Sequence, residues 1–232
     1  MFTSSLIIVM SLLAIMPMLV MGITSYVKIS VVLSLLRNAI GAGQTPSTAV
    51  IGSLTLVLTL ITMSPMLSVV GSRIQESGLI EKLDASSVPT SQAIEDIKQA
   101  ARAVAKPISK FMSKHANVRE RAYFANLLSS KTKGEALADV RCHGDKSCAK
   151  LGETPTSLAA AFLVSELAEA FRLGLKIFLP FVVVDLVVSM LLTGLGMTML
   201  TPTTLTLPLK LLLFTFADGW YLVCKSLTLS YL

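Results

Sequence analysis

Four apolar runs, residues 6–23, 51–70, 177–200 and 204–224, decide most of what this chain can become. Each is close to the roughly 20 residues that a helix needs to cross the hydrocarbon core of a bilayer. The 232-residue chain is 53% hydrophobic and 15% charged, with a mean hydropathy of +0.72, where about a quarter of a soluble domain is charged. These runs must therefore be covered by lipid or by other subunits. Backbone groups in such surroundings have to be satisfied within the segment itself, so an all-α fold is expected.

The connections between the runs suggest how they pair. Between the first two, Lys28–Arg37 is compatible with helix and leads into Gly41-Ala42-Gly43-Gln44-Thr45-Pro46. The glycines end a helix, and Thr45 with Pro46 has the form of an N-cap followed by a first helical residue. The last two runs are separated by a short stretch holding Gly194, Gly196 and Pro202. Each pair reads as a helical hairpin. Before the third run, Leu158, Ala161, Phe162, Leu167, Phe171 and Leu175 alternate with Glu166, Glu169 and Arg172 as in an amphipathic helix. A lead-in helix over 157–176, kinked near Pro180, is expected. Residues 71–155 hold most of the charged side chains, in helical patterns such as Ile94–Met112. The expected organisation is a first apolar hairpin over 1–70, a polar helical region over 71–155, and an amphipathic helix plus a second apolar hairpin over 156–232.

Charge narrows the function classes. The net charge of +6 is spread through a mixed-charge middle, and aromatics are only 6% of residues, so no basic stripe or stacking platform for nucleic acid is present. No phosphate-cradling glycine loop, nucleophile elbow or histidine-based triad occurs; neither an enzyme nor a cofactor is expected. The first run lacks a basic residue before Lys28 and reads as a retained membrane segment rather than a secretory signal. Lys28 and Arg37 lie in the short connection between runs one and two, which the positive-inside tendency places in the cytoplasm. The two ends and the polar middle would then face the periplasm.

A few side chains stand out for chemistry. Asp185 sits within Phe181-Val182-Val183-Val184-Asp185-Leu186-Val187-Val188, where a carboxylate needs a partner. Lys210 is the first choice, because the hairpin folds it back toward run three, and Lys176 the second. The pair would be structural or inter-subunit, with a proton relay as the sharper alternative. Asp218-Gly219-Trp220 reads as a packing motif that permits close helix approach. Met197 and Met199 occupy a hairpin tip, where flexible, uncharged thioethers suit either a gate for polypeptide or ordinary loop packing. Cys142 and Cys148 would close a short disulfide loop in an oxidising compartment or else remain thiols. With His143 and His115 they have no zinc-site spacing.

Specific residues carry a resemblance. Leu36-Arg37-Asn38-Ala39 with Gly41 and Gln44-Thr45-Pro46, Met63-Ser64-Pro65, Ser165-Glu166-Leu167 with Ala170-Phe171, Pro180-Phe181 with Asp185-Leu186, Gly196-Met197, Leu207-Pro208-Leu209-Lys210-Leu211 and Asp218-Gly219-Trp220 occur in an order that resembles the FliP/SctR family of export-gate proteins. The likeness covers roughly residues 6–70 and 155–232. It implies five copies of the chain, assembled with small two-helix S-type (FliQ-like) and T-type (FliR-like) subunits into a helical cone. Other export-apparatus membrane proteins, membrane lipid and unfolded secreted substrates would be its further partners. It also implies a bacterial inner-membrane site, with the assembly raised toward the periplasm, and a methionine gasket falling on Met197 and Met199. Many members have consecutive methionines where this chain has Met197-Thr198-Met199, and Pro-Ala-Phe where it has Ala160-Ala161-Phe162. The missing signal, together with Leu207–Phe214 and Ser230-Tyr231, points to a virulence-type system more than to a flagellum. Two other classes compete: a small-solute transporter with Asp185 as coupling carboxylate, and a scaffold with no conducting path.

Overall fold

The structure, a computed structural model, describes residues 10, 14, 21–41, 46–76, 104–133, 154–197 and 200–231. Every regular element among them is helical and no strand occurs. The bounded helices are α1 (Tyr26–Ile40), α2 (Thr48–Glu76), α3 (Val118–Lys133), α4 (Pro155–Gly194), α5 (Pro202–Phe216) and α6 (Gly219–Leu229), with a further helical segment over 104–115. The chain divides into two compact units, Met1–Thr24 with Met63–Glu166, and Ser25–Thr62 with Leu167–Leu232.

In the second unit α1 is the innermost helix. Ile29, Val32, Leu33, Leu36, Ala39 and Ile40 recur at three- and four-residue steps and are almost completely buried. Ile51 and Leu58 of α2, Ala170 and Phe181 of α4, Phe214 of α5, and Val223 and Leu227 of α6 complete this core. Gly41 ends α1 in the left-handed region at φ 73°, its N–H donating to the Arg37 carbonyl. The chain then turns into α2, and the Ser25 and Thr62 hydroxyls meet at 2.8 Å where the two helices run side by side. The buried Thr55 and Thr59 hydroxyls donate to carbonyls one turn back, at 2.7 Å each, so no polar group is stranded on this face.

In the first unit Met112, Ala116, Leu158, Ala161 and Phe162 form a smaller core, with Phe111 edge-on to Phe162 at 5.8 Å. The start of α4 is capped from both sides. The Ser157 N–H donates to Thr154 Oγ1, the Thr154 N–H donates to Ser157 Oγ, and Pro155 occupies the first helical position, where its missing donor costs nothing.

Run one, 6–23, lies mostly outside the described residues, and within the second unit Tyr26–Ile40 packs beside α2. Other expectations need correction. The N-cap of α2 is Ser47, not Thr45: its Oγ accepts the Val50 N–H and its carbonyl the Ile51 N–H, which leaves Pro46 one position outside the cap. The lead-in helix and run three are one 40-residue helix that continues through Pro180. Pro180 is itself exposed, and the helix is unbroken across it. Run four is broken, since α5 and α6 meet at 60° across Ala217 and Asp218. Among the described residues, Thr48–Arg73 and Pro155–Gly194 are long and apolar enough to cross a membrane, and α5 with α6 only as a bent pair.

Gly219 opens α6 directly against the Phe214 ring, and a Cβ at this position would overlap the ring atoms Cε2 and Cδ2. That ring is held edge-on by Trp220 at 5.3 Å and tilted against Phe181 at 6.2 Å, so it has little room to move. Gly219→Ala is therefore expected to destabilise the full chain by about 1–3 kcal/mol through overpacking. Detergent-titrated unfolding measures this, and Gly219→Ala combined with Phe214→Leu should recover most of the loss.

Candidate functional site: two ion pairs and a fixed methionine turn

The carboxylate of Asp185, on α4, accepts a hydrogen bond from Lys210 Nζ of α5 at 2.6 Å. The same ammonium donates to the Ala39 carbonyl at 3.2 Å. Ala39 lies in the last turn of α1, whose carbonyls lack partners within the helix, so Lys210 caps α1 while neutralising α4. The Lys210 side chain is only 9% exposed, against 44% for Asp185. A cavity of about 230 Å³ adjoins the pair; its wall is mostly apolar, with Ile40, Pro202 and Leu207, and the hydroxyl residues Ser189, Thr203 and Thr206 line it with Asp185 and Lys210. Lys176, the second choice of partner, makes no such contact with Asp185.

A second pair, not anticipated as a site, sits at the other end of α1. Lys28 Nζ donates to Glu169 Oε2 of α4 at 2.7 Å, and lies 4.6 Å from the centre of the Tyr231 ring. The Lys28 side chain is 1% exposed and that of Glu169 is 45% exposed. Lys28 is thus a helical, ion-paired and buried residue, so it drops out of the count of loop charges on which the orientation was read. A signal was available: Lys28 is in phase with Val32 and Leu36, four and eight residues on, along the buried face of α1.

Met197 is positioned by backbone geometry. Gly196 adopts φ 71°, the Met197 N–H donates to the Leu192 carbonyl at 2.9 Å, and the Gly196 N–H donates to the Thr193 carbonyl at 3.1 Å. This double closure ends α4 and leaves the Met197 side chain 49% exposed. Met199, Cys142 and Cys148 lie outside the described residues.

Asp218, Gly219 and Trp220 are together at the break between α5 and α6. Asp218 has left-handed backbone angles of φ 50° and ψ 42°, Gly219 makes the close approach to Phe214, and Trp220 packs edge-on to the same ring. Among the described residues no three histidine, cysteine or acidic side chains group so as to hold a metal. What the arrangement can do is fix helices at set positions.

The sequence model of the FliP family matches residues 9–227. The chain is 34% identical over 231 residues to the hypersensitivity response secretion protein HrcR of Ralstonia nicotianae, covering 98% of this chain and 97% of that one. It is 37% identical over 227 residues to the Yop proteins translocation protein R of Yersinia pestis, covering 98% and 95%. It is 32% identical over 229 residues to the flagellar biosynthetic protein FliP of Bacillus subtilis, covering 99% and 92%. With a family match that spans nearly all of its length and relatives aligned from end to end, this chain belongs to the FliP family.

Proposed function

We propose that this chain is a core subunit of a bacterial type III protein export apparatus in the inner membrane. Copies of it, with S-type and T-type partners, would enclose an axial channel for unfolded protein, constricted by Met197 and Met199. The observation that carries this reading is the near-complete overlap with relatives named for secretion, translocation and flagellar biosynthesis.

The physical chemistry of the chain agrees with such a role. Apolar side chains along α4, among them Leu175, Leu179, Met190 and Leu191, are widely exposed and need covering by lipid or neighbouring subunits. Met197 stands at the end of α4 on a rigid backbone turn with a mobile, uncharged side chain, which is what a ring closing around varied polypeptide requires. An ammonium or carboxylate there would hold passing charge.

Two outcomes test the proposal. Replacing Met197 and Met199 together by alanine should leave assembly intact but let small ions leak through the resting channel, read as growth inhibition or as conductance in planar bilayers. An assembled double variant with no added leak removes the gasket from the proposal. Asp185→Lys and Lys210→Asp should each reduce substrate in the culture supernatant about tenfold or more, because each strands a buried or half-buried charge. The double exchange should restore secretion in part only, since an aspartate at position 210 cannot donate to the Ala39 carbonyl. Restoration of nothing would mean that the two residues do not serve export as a pair.

A further inference from the structure

Three elements meet at the Lys28 ammonium: α1, which carries it, α4 through Glu169, and the turn after α6 through Tyr231. That turn is wound back on its helix, the Ser230 N–H donating to the Ser226 carbonyl and the Tyr231 N–H to the Thr228 carbonyl, at 3.2 Å each. Leu227 beneath it is buried, and Tyr231 itself is 7% exposed, so the ring is held at the ammonium by both backbone and packing. Glu169 neutralises the charge from one direction. An aromatic face covers an ammonium from another without needing a hydrogen bond, and attracts it through the ring quadrupole.

The two ends of α1 are not equivalent. From Lys28 to Ala39 the helix rises about 16 Å, while Glu169 and Asp185 stand about 24 Å apart along α4. The far end of α1 therefore reaches Asp185 only through the long Lys210 side chain of α5. At the near end the contact with α4 is direct, and the register of α1 is set there.

We propose that Tyr231 is a positioning residue for α1: its ring face, together with Glu169, clamps the Lys28 ammonium and locks the first turn of α1 against α4 and α6. The clamp follows from the geometry of this unit and does not depend on the export reading.

The test uses the full chain in mixed micelles, unfolded by graded SDS, with phenylalanine and its mono-, di- and trifluorinated forms placed at position 231. Fluorination weakens the ring quadrupole at nearly constant size, and the hydroxyl is absent throughout the series. The unfolding equilibrium constant should rise stepwise, by roughly three- to tenfold from the first member to the last. A flat series overturns the clamp. In the neutral background Lys28→Met with Glu169→Leu, which leaves no charge stranded, the series should be flat, and a slope equal to that of the native background would reduce Tyr231 to an apolar filler. Should the neutral background fail to fold, the native series decides alone.

Discussion

An ammonium group taken out of water by apolar helices has to be neutralised where it sits, and the unit around α1 is arranged about two of them. Lys28 and Lys210 are both nearly inaccessible, and both take their carboxylates from α4. Between these anchor points Gly174 of α4 faces the Leu35 side chain of α1, and a Cβ there would have to push the Leu35 Cδ1 methyl aside. Sliding α1 by a single residue would turn it about 100° and pull Lys28 away from Glu169. The charges fix a register that apolar packing alone leaves loosely specified.

The same helices carry more apolar surface than their own contacts can cover. Within the most hydrophobic window of α4 only 17% of residues are buried, and in that of α2 only 28%. Exposed apolar patches of this extent on a water-soluble monomer would drive aggregation. Hydropathy cannot tell a lipid-facing helix from one facing another subunit, because both surroundings are apolar. The carboxylates sharpen the distinction. Glu169 and Asp185 are each nearly half open, and an open carboxylate in hydrocarbon is costly, so the sides of α4 that carry them face water, cavity or protein donors rather than lipid tails.

How much of this was legible in the sequence follows from what each signal measures. The apolar runs and the three- and four-residue spacing of Ile29, Val32, Leu33 and Leu36 report helix and burial together, so the all-helical fold was readable. A carboxylate stranded among valines demands a cation, and a short return connection puts Lys210 nearby. Lys28 was harder, because a lysine scores as solvent-seeking on any hydropathy scale, and only its phase along α1 shows that it points inward. The third element at that site was out of reach, since nothing local to Tyr231 refers to α1. Pro180 marks a place where a kink is expected, but its local signal does not say whether the helix ends there, and α4 runs on through it. Thr45 and Pro46 misled by chemistry alone, as Ser47 is an equally good cap closer to the first apolar turn.

The break between α5 and α6 shows how two neighbouring residues can be fixed by different requirements. Asp218 occupies the left-handed region, which costs a non-glycine residue about 1–2 kcal/mol, yet glycine stands at the next position instead. The reason lies in Phe214, whose ring fills the space a Cβ on residue 219 would need. Exchanging the two residues would relieve the backbone at 218 and drive a side chain into the ring at 219, a worse trade in a packed core. Aspartate is among the few side chains that tolerate left-handed angles, so it takes the strained position while glycine takes the crowded one. The order Asp-Gly thus suits the 60° bend at this break, beyond which Val223 and Leu227 lie on the core that α1 fills.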